Sequence, residues 1–412
     1  MRIQQPGLDA SMWPGHPIRS TPSGADLTAG LCGSVPGQRW GAVWPSDPRL
    51  DVGLCASLGS QPSDWPLHSG GQRASGAGRS DGRHVGSFGG RDADGGPRFD
   101  QAVPPGGYLW WYLDALSDDG QHGLSIIAFV GSVFSPYYAW ARRRQGGVAD
   151  PEHFCALNVA LYGQGRKRWT MTERGRQHIQ RSAAHYQIGP SSLRWDGQAL
   201  TIDIDEVNMP LPMPVRGRVT VRPQGLSPFV TALDAAGRHR WGPLAACSRI
   251  EVDMQHPRLN WQGHAYWDSN EGDEPIEKGF SAWDWARAEM ANGDTSVIYD
   301  VKPLQGPDRV VARRFSPDGQ SAPFLAPDQH PLPPSAWRIQ RAMSSEAPTL
   351  PSVISTLEDT PFYARSLLKA QLMGEQVTAI HESLDVPRLV SWPVRCMLPF
   401  KMPRRFTPTW SP

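Results

Sequence analysis

An all-β fold is what this 412-residue sequence predicts, and three observations predict it. Beyond residue 97 the chain breaks into short runs rich in aromatic and β-branched residues. Turn signals separate the runs, among them SDDGQHG, YGQGRK and RWDGQ. Helical periodicity sustained over a dozen residues is scarce. That many short strands exceed one comfortable open sheet, so two closed or double-layered units, barrel or sandwich, are the economical way to remove sheet edges.

Residues 1–97 are dominated by Gly, Ser, Pro, Asp and Arg, as in SGGQRASGAGRSDGRHVGSFGGRDADGG. Too few apolar residues lie in any window to offset the entropy of ordering, so a disordered extension is expected. Trp13, Trp40, Trp44 and Trp65 are unusual in such a segment. Two readings of them stay open: short docking segments, or a start codon further downstream.

The expected strands follow at 108–113, 124–134, 154–162, 168–173, 199–205, 216–222, 248–254, 261–268, 280–286, 296–301 and 310–315. The stretch 322–351 is broken by prolines and reads as a connection. The segments 363–372 and 377–384 are taken as closing strands, with one helix each as the alternative. The division between the two units is placed near residue 275, giving β domains at 98–275 and 276–405.

Composition removes several classes of function. Forty-one basic against forty acidic residues leave a formal charge of +1, so the usual electrostatic argument for a nucleic-acid partner is missing. Cys32, Cys55, Cys155, Cys247 and Cys396 are scattered without CxxC spacing, which suits reduced thiols better than a disulfide framework or a zinc site. The N-terminal MRIQQPGLDASMW has no apolar core of a signal peptide. The longest near-continuous apolar run, 124–134, is too short to cross a bilayer as a helix.

Chemistry concentrates in RHRWG and in GHAYWDSNEGDEPIEKGFSAWDWARA. A strand alternates its side chains, so His239 and Trp241 share one face, and His264, Tyr266 and Asp268 share another. Singly, a His or Trp on a strand is ordinarily a packed structural residue; convergence of several on one cavity would be a site. Three chemistries use these residue types. His239, His264 and Asp268 would make a two-histidine, one-carboxylate iron site. Asp268 with Glu271 or Asp273 would make a glycosidase acid pair, with Trp283 and Trp285 as sugar platforms. A carboxyl desolvated by Tyr266 and Trp267 would keep its proton at neutral pH, and aromatic faces would stabilise a carbocation.

The segments PPGGYLWWYLDALSDDGQHGLSIIAFVGSVFSPYYAWARRR, CALNVALYG, RWTMTERG, GHAYWDSNEGDEPIEKGFSAWDWARA, HESLDV and MLPFKMPRR together resemble the carotenoid 1,2-hydratase (hydroxyneurosporene synthase) family. The likeness runs from about Phe99 to Arg405, and the extension before Phe99 has no evident counterpart. It implies two lipocalin-like β domains and a cofactor-independent hydro-lyase of phototrophic bacteria. The implied reaction adds water to the terminal C1=C2 bond of an acyclic carotene such as neurosporene or lycopene.

On this reading Asp268 protonates C2, Tyr266 and Trp241 orient the acid and stabilise the cation at C1, and His239 positions or deprotonates the water. His264, Trp267, Trp283 and Trp285 are further candidates for substrate contact. No metal is called for. The tail WPVRCMLPFKMPRRF and the run Arg142 to Arg144 are expected to dock on the cytoplasmic face of the inner, photosynthetic membrane, beside other carotenoid-pathway enzymes. A non-catalytic carotenoid carrier and the glycosidase remain the alternatives.

Overall fold

The computed structural model describes residues 90–405 apart from 93 and 164–166. Most of the expected extension, with its four tryptophans, therefore lies outside the described residues. Its end is corrected: Gly90, Arg91 and residues 95–97 are buried, and Arg91 and Pro97 are paired in a β-bridge. The Arg91 guanidinium supplies the reason, because it donates to the carbonyls of Ser227 and Gly242 and so ties a polar segment to the folded chain.

Twelve strands form the first sheet: β1 (Tyr108–Ser117), β2 (His122–Val130), β3 (Cys155–Gly163), β4 (Arg168–Arg174), β5 (Ile179–Ser182), β6 (His185–Ile188), β7 (Ser191–Trp195), β8 (Leu200–Asn208), β9 (Met213–Pro223), β10 (Thr231–Ala232), β11 (His239–His256) and β12 (Leu259–Gly272). Its order is β4-β3-β2-β1-β12-β11-β9-β8-β7-β6-β5, with β10 on β11. The sheet curls until β4 meets β8, where the Trp169 amide donates to Asn208 Oδ1 at 2.7 Å. The Tyr186 hydroxyl of β6 donates to the Phe129 carbonyl of β2 at 2.7 Å, so opposite walls of this nearly closed barrel are joined.

A seven-stranded sheet follows: β13 (Phe280–Glu289), β14 (Thr295–Pro303), β15 (Arg309–Phe315), β16 (Ser321–Pro323), β19 (Ser352–Asp359), β20 (Tyr363–Leu372) and β21 (Glu375–Asp385), in the order β16-β15-β14-β13-β21-β20-β19. A separate hairpin pairs β17 (Gln329–Leu332) with β18 (Arg341–Ser344) inside the stretch expected to be plain connection. Four α-helices, α1 (Pro136–Arg144), α2 (Ile276–Gly279), α3 (Val386–Val390) and α4 (Trp392–Lys401), and two single 3₁₀ turns (Pro151–His153 and Arg176–His178) complete the described chain.

All thirteen expected strands are present, and the all-β class holds. The run 124–134 stops early as a strand, at Val130, because Gly131 turns the chain with φ +70° toward the Ser135 cap of α1. Strands β5 to β7 escaped notice because only alternate residues there are apolar and each strand is four or five residues long.

Strand β1, YLWWYLDALS, is buried on both faces, which explains its nearly continuous apolar run. Leu109, Trp111, Leu113 and Ala115 point into the barrel, against Leu124, Ile126, Val159 and Trp267. Tyr108, Trp110 and Tyr112 point the other way, against Trp283, Trp285 and Tyr299 of the second sheet. The site lies in this second layer, between the sheets.

Candidate active site

Two cross-strand rows face each other there. In the first sheet Asp268 of β12 is paired with Tyr112 of β1. In the second sheet Glu382 of β21 is flanked by Trp285 of β13 and Arg365 of β20, its register partners on either side. All five side chains line one cavity of about 350 Å³. Most of its remaining wall is apolar, including Trp110, Phe129, Trp241, Trp283, Tyr299, Phe362 and Leu398.

Asp268 is 3% exposed. Its Oδ2 accepts two hydrogen bonds, from Trp241 Nε1 at 2.8 Å and from the Tyr266 hydroxyl at 2.9 Å. Among the described residues its Oδ1 has no partner. Burial pushes the carboxyl from 3.8 up to about 8, against the pull of those two donors, and the buried carboxylates Glu382 and Asp114 add to the rise. A neutral acid with one oxygen anchored and the other free is equipped to donate a proton into an apolar space. Aromatic rings surround it: Tyr266 and Trp285 have centroids 5.2 Å apart, Tyr112 and Trp285 5.5 Å, Trp241 and Tyr299 5.4 Å. Their faces carry the negative quadrupole that favours a nearby cation.

Beside the acid a charged network joins the two sheets. The Tyr112 hydroxyl has two acceptors for its one proton, Glu382 Oε1 at 2.6 Å and Asp114 Oδ2 at 2.8 Å. Arg287 Nε donates to Asp114 Oδ1 at 2.6 Å. Arg365 pairs with Glu382 through Nη2 and donates from Nε to the Tyr363 hydroxyl at 2.9 Å. Two guanidinium groups thus meet two carboxylates, and among the described residues no cation is bonded to Asp268, so no ion pair offsets the burial that holds its proton.

The structure brings Asp268, Tyr266, Trp241, Trp283 and Trp285 together. The other three candidates sit elsewhere. His239 is opposite Gly272 on β12, four residues and about 13 Å along the strand from Asp268. Its Nδ1 meets the Tyr108 hydroxyl at 2.8 Å and its ring packs on Phe280. It does not line the cavity, so it is not placed to touch the water, and burial lowers its pKa. His264 is four residues the other way and pairs with Glu289 at 2.9 Å. Trp267 points into the barrel and packs against Trp195 at 5.8 Å between ring centroids. Strand alternation explains that placement, since an odd-numbered neighbour of Asp268 must face away from the cavity.

The iron set His239, His264 and Asp268 is therefore spread along the sheet. Among the described residues no group of three His, Cys, Asp or Glu side chains is arranged to hold a metal ion. The glycosidase pair fails on the same alternation: Glu271 is taken by Arg240 and Gln101, and Asp273 by Arg240. Sequence reasoning missed Tyr112, Tyr299, Arg365 and Glu382. Each sits at an ordinary strand position far along the chain from Asp268, and only sheet packing unites them.

A model of the family described as carotenoid hydratase CrtC matches residues 126–411. An acyclic carotenoid 1,2-hydratase of Rubrivivax gelatinosus is 56% identical over 98% of this chain and 100% of its own. One from Thiocapsa roseopersicina is 51% identical over 90% of this chain and 91% of its own. The first alignment reaches well before Phe99, so the extension does have a counterpart, contrary to the sequence reading. Among solved structures, an AttH protein of Nitrosomonas europaea is 12% identical, with a TM-score of 0.46 over 68% of this chain and 92% of that one. Taken with the acid enclosed by aromatic rings, the full-length likeness decides the matter: the chain belongs to the carotenoid hydratase family, and it is a hydro-lyase acting on acyclic carotenoids.

Proposed function

We propose that the substrate is an acyclic carotene such as lycopene or neurosporene, and that water adds across its terminal C1=C2 bond to give a 1-hydroxy carotenoid. Asp268 donates its proton to C2, leaving a tertiary cation at C1, and water attacks C1. The observation that carries this reading is the unpartnered Oδ1 of a buried, proton-retaining Asp268 in an aromatic cavity. Trp241 and Tyr266 hold Oδ2 and stabilise the carboxylate as it forms. Tyr299, Trp283 and Trp285 present rings to the cation. His239 acts at a distance, by fixing Tyr108, whose ring stacks on the cavity residue Trp110 at 4.9 Å.

A cavity of about 350 Å³ is at the small end of ligand pockets, so it takes one end of a long polyene while the remainder stays outside. The outside is suited to lipid. Trp337 and Met397 both line the cavity and reach solvent. Beside them α4 presents Trp392, 77% exposed, and Phe400, 76% exposed, while α1, packed against α4, presents Trp140. Arg143 and Arg144 are exposed on α1. Arg142 is not part of this surface: it is buried and bonded to Glu277 at 2.9 Å. Within the tail α4 has apolar residues on both sides, Val394 and Leu398 inward and Trp392, Met397 and Phe400 outward. A helix of that pattern, bordered by arginines, supports peripheral attachment to an anionic bilayer.

Isotopes test the reaction. In deuterium oxide the product should carry one deuterium at C2, and in labelled water its new oxygen should appear at C1. Oxygen taken from dioxygen would overturn the acid-catalysed reading.

A further inference from the structure

Protonation by Asp268 leaves a second proton to be handled, the one that the attacking water must lose, and His239 is not placed to take it. Glu382 is. It lies in the facing row of the same cavity, so an alkene between the sheets would have the acid on one side and this carboxylate on the other. Its Oε1 is held by Tyr112 and Arg365, which fixes the carboxyl in place.

Two donors in that row have no protein partner among the described residues. Arg365 Nη1 and Trp285 Nε1 are buried and unmatched, although both side chains line the cavity and buried donors are ordinarily satisfied. They flank Glu382 across neighbouring strands. A carboxylate between two spare donors is a pocket for one small molecule that both accepts and donates hydrogen bonds, which describes water.

We propose that Glu382, flanked by Arg365 and Trp285, binds the water that adds to the substrate and is the base that accepts its proton. The step rests on the assignment of Asp268 as the acid. The C1=C2 electron pair takes the Asp268 proton, forming the C2–H bond and leaving Asp268 ionised and C1 cationic. A lone pair of the water oxygen forms the C1–O bond, and the resulting oxonium gives one proton to the Glu382 carboxylate. After the product leaves, Glu382 releases a proton to solvent and Asp268 takes one up, so the net change is addition of one water. The Glu382 charge also offsets the cation before water attacks. Burial raises the Glu382 pKa, opposed mainly by the charge of Arg365; a base more willing to hold a proton than an exposed glutamate suits the role.

The test uses the full chain with lycopene in liposomes and three variants. In Glu382→Gln, kcat should fall about a hundredfold or more, the ordinary worth of a general base, while the absorbance shift on carotene binding is kept. Glu382→Asp keeps the charge pair with Arg365 and should retain more turnover than Glu382→Gln. In Glu382→Ala, added formate should restore hydration in proportion to its concentration, whereas Asp268→Asn should gain nothing from formate. A Glu382→Gln protein that turns over at more than about a tenth of the normal rate overturns the proposal, as does failure of formate to restore a folded, carotene-binding Glu382→Ala protein. If Asp268→Asn is dead while Glu382→Gln is active, only the base assignment falls. If Asp268→Asn is itself active, the acid assignment falls and takes this step with it.

Discussion

Replacing Asp268 by Asn removes a proton donor and little else. Both hydrogen bonds to the carboxyl, from Trp241 and Tyr266, land on the single oxygen Oδ2. An asparagine can put its carbonyl oxygen there and its NH2 group where the unpartnered Oδ1 stood. The fold should therefore survive, with stability changed by about 1 kcal/mol or less. Chemistry should not survive. With its pKa raised from 3.8 to about 8, Asp268 is protonated in roughly nine of ten molecules at pH 7, against about one in a thousand or fewer for an ordinary aspartate. The amide cannot donate a proton to carbon, so loss of the acid should cost about 10²–10⁴-fold in turnover. The same pKa sets the pH profile of the normal enzyme: turnover is level near neutrality and falls as pH rises through about 8, where Asp268 ionises. The assay is hydration of lycopene in liposomes from pH 6 to 10, with near-ultraviolet circular dichroism to certify folding. Turnover above about a tenth of normal in a folded Asn variant, or a normal enzyme whose activity rises through pH 8, would refute the reasoning.

Other outcomes follow from the same geometry. Trp241→Phe and Tyr266→Phe each remove a donor that favours ionised Asp268, so the alkaline limb of the pH profile should move upward. Turnover at neutral pH should drop about ten- to a hundredfold, the worth of a hydrogen bond to a forming charge; an unmoved limb argues against the contact. In a flotation assay with anionic liposomes at low salt, the protein should float with the lipid, and Trp392→Ser with Phe400→Ser should leave it at the bottom while basal folding is unchanged. Flotation that ignores both substitutions would exclude α4 as the attachment surface. The ion pair of Arg174 Nη2 with Glu206 Oε2, 2.8 Å long and buried, makes a structural prediction: Arg174→Met should cost about 3–5 kcal/mol in urea unfolding. Burial already holds the folded Glu206 pKa above its unfolded value, and losing Arg174 raises it further. The folded state then binds the proton more tightly, so the variant should lose stability as pH rises from the unfolded toward the folded pKa and regain it on acidification.

The local patterns of the chain were enough to determine the all-β class and thirteen of the strands, because period-two alternation and turn residues act over a few neighbours. They also placed Tyr266 and Asp268 on one face of their strand, with strand alternation as the physical warrant, while the meeting of Trp241 with them waited on strand pairing. What alternation could not tell was how far along the sheet each residue falls once strands pair. His239 and His264 share the right face yet lie about 13 Å to either side of Asp268, a consequence of the β11–β12 register. Trp267 was drawn in by its neighbours and faces the barrel instead. Tertiary structure alone decided that the cavity lies between the two sheets, and that Glu382 and Arg365, about a hundred residues beyond Asp268, complete it. Long-range packing set the state of the acid as well: a carboxyl keeps its proton only where an apolar wall, built here from both sheets, takes water's place around it.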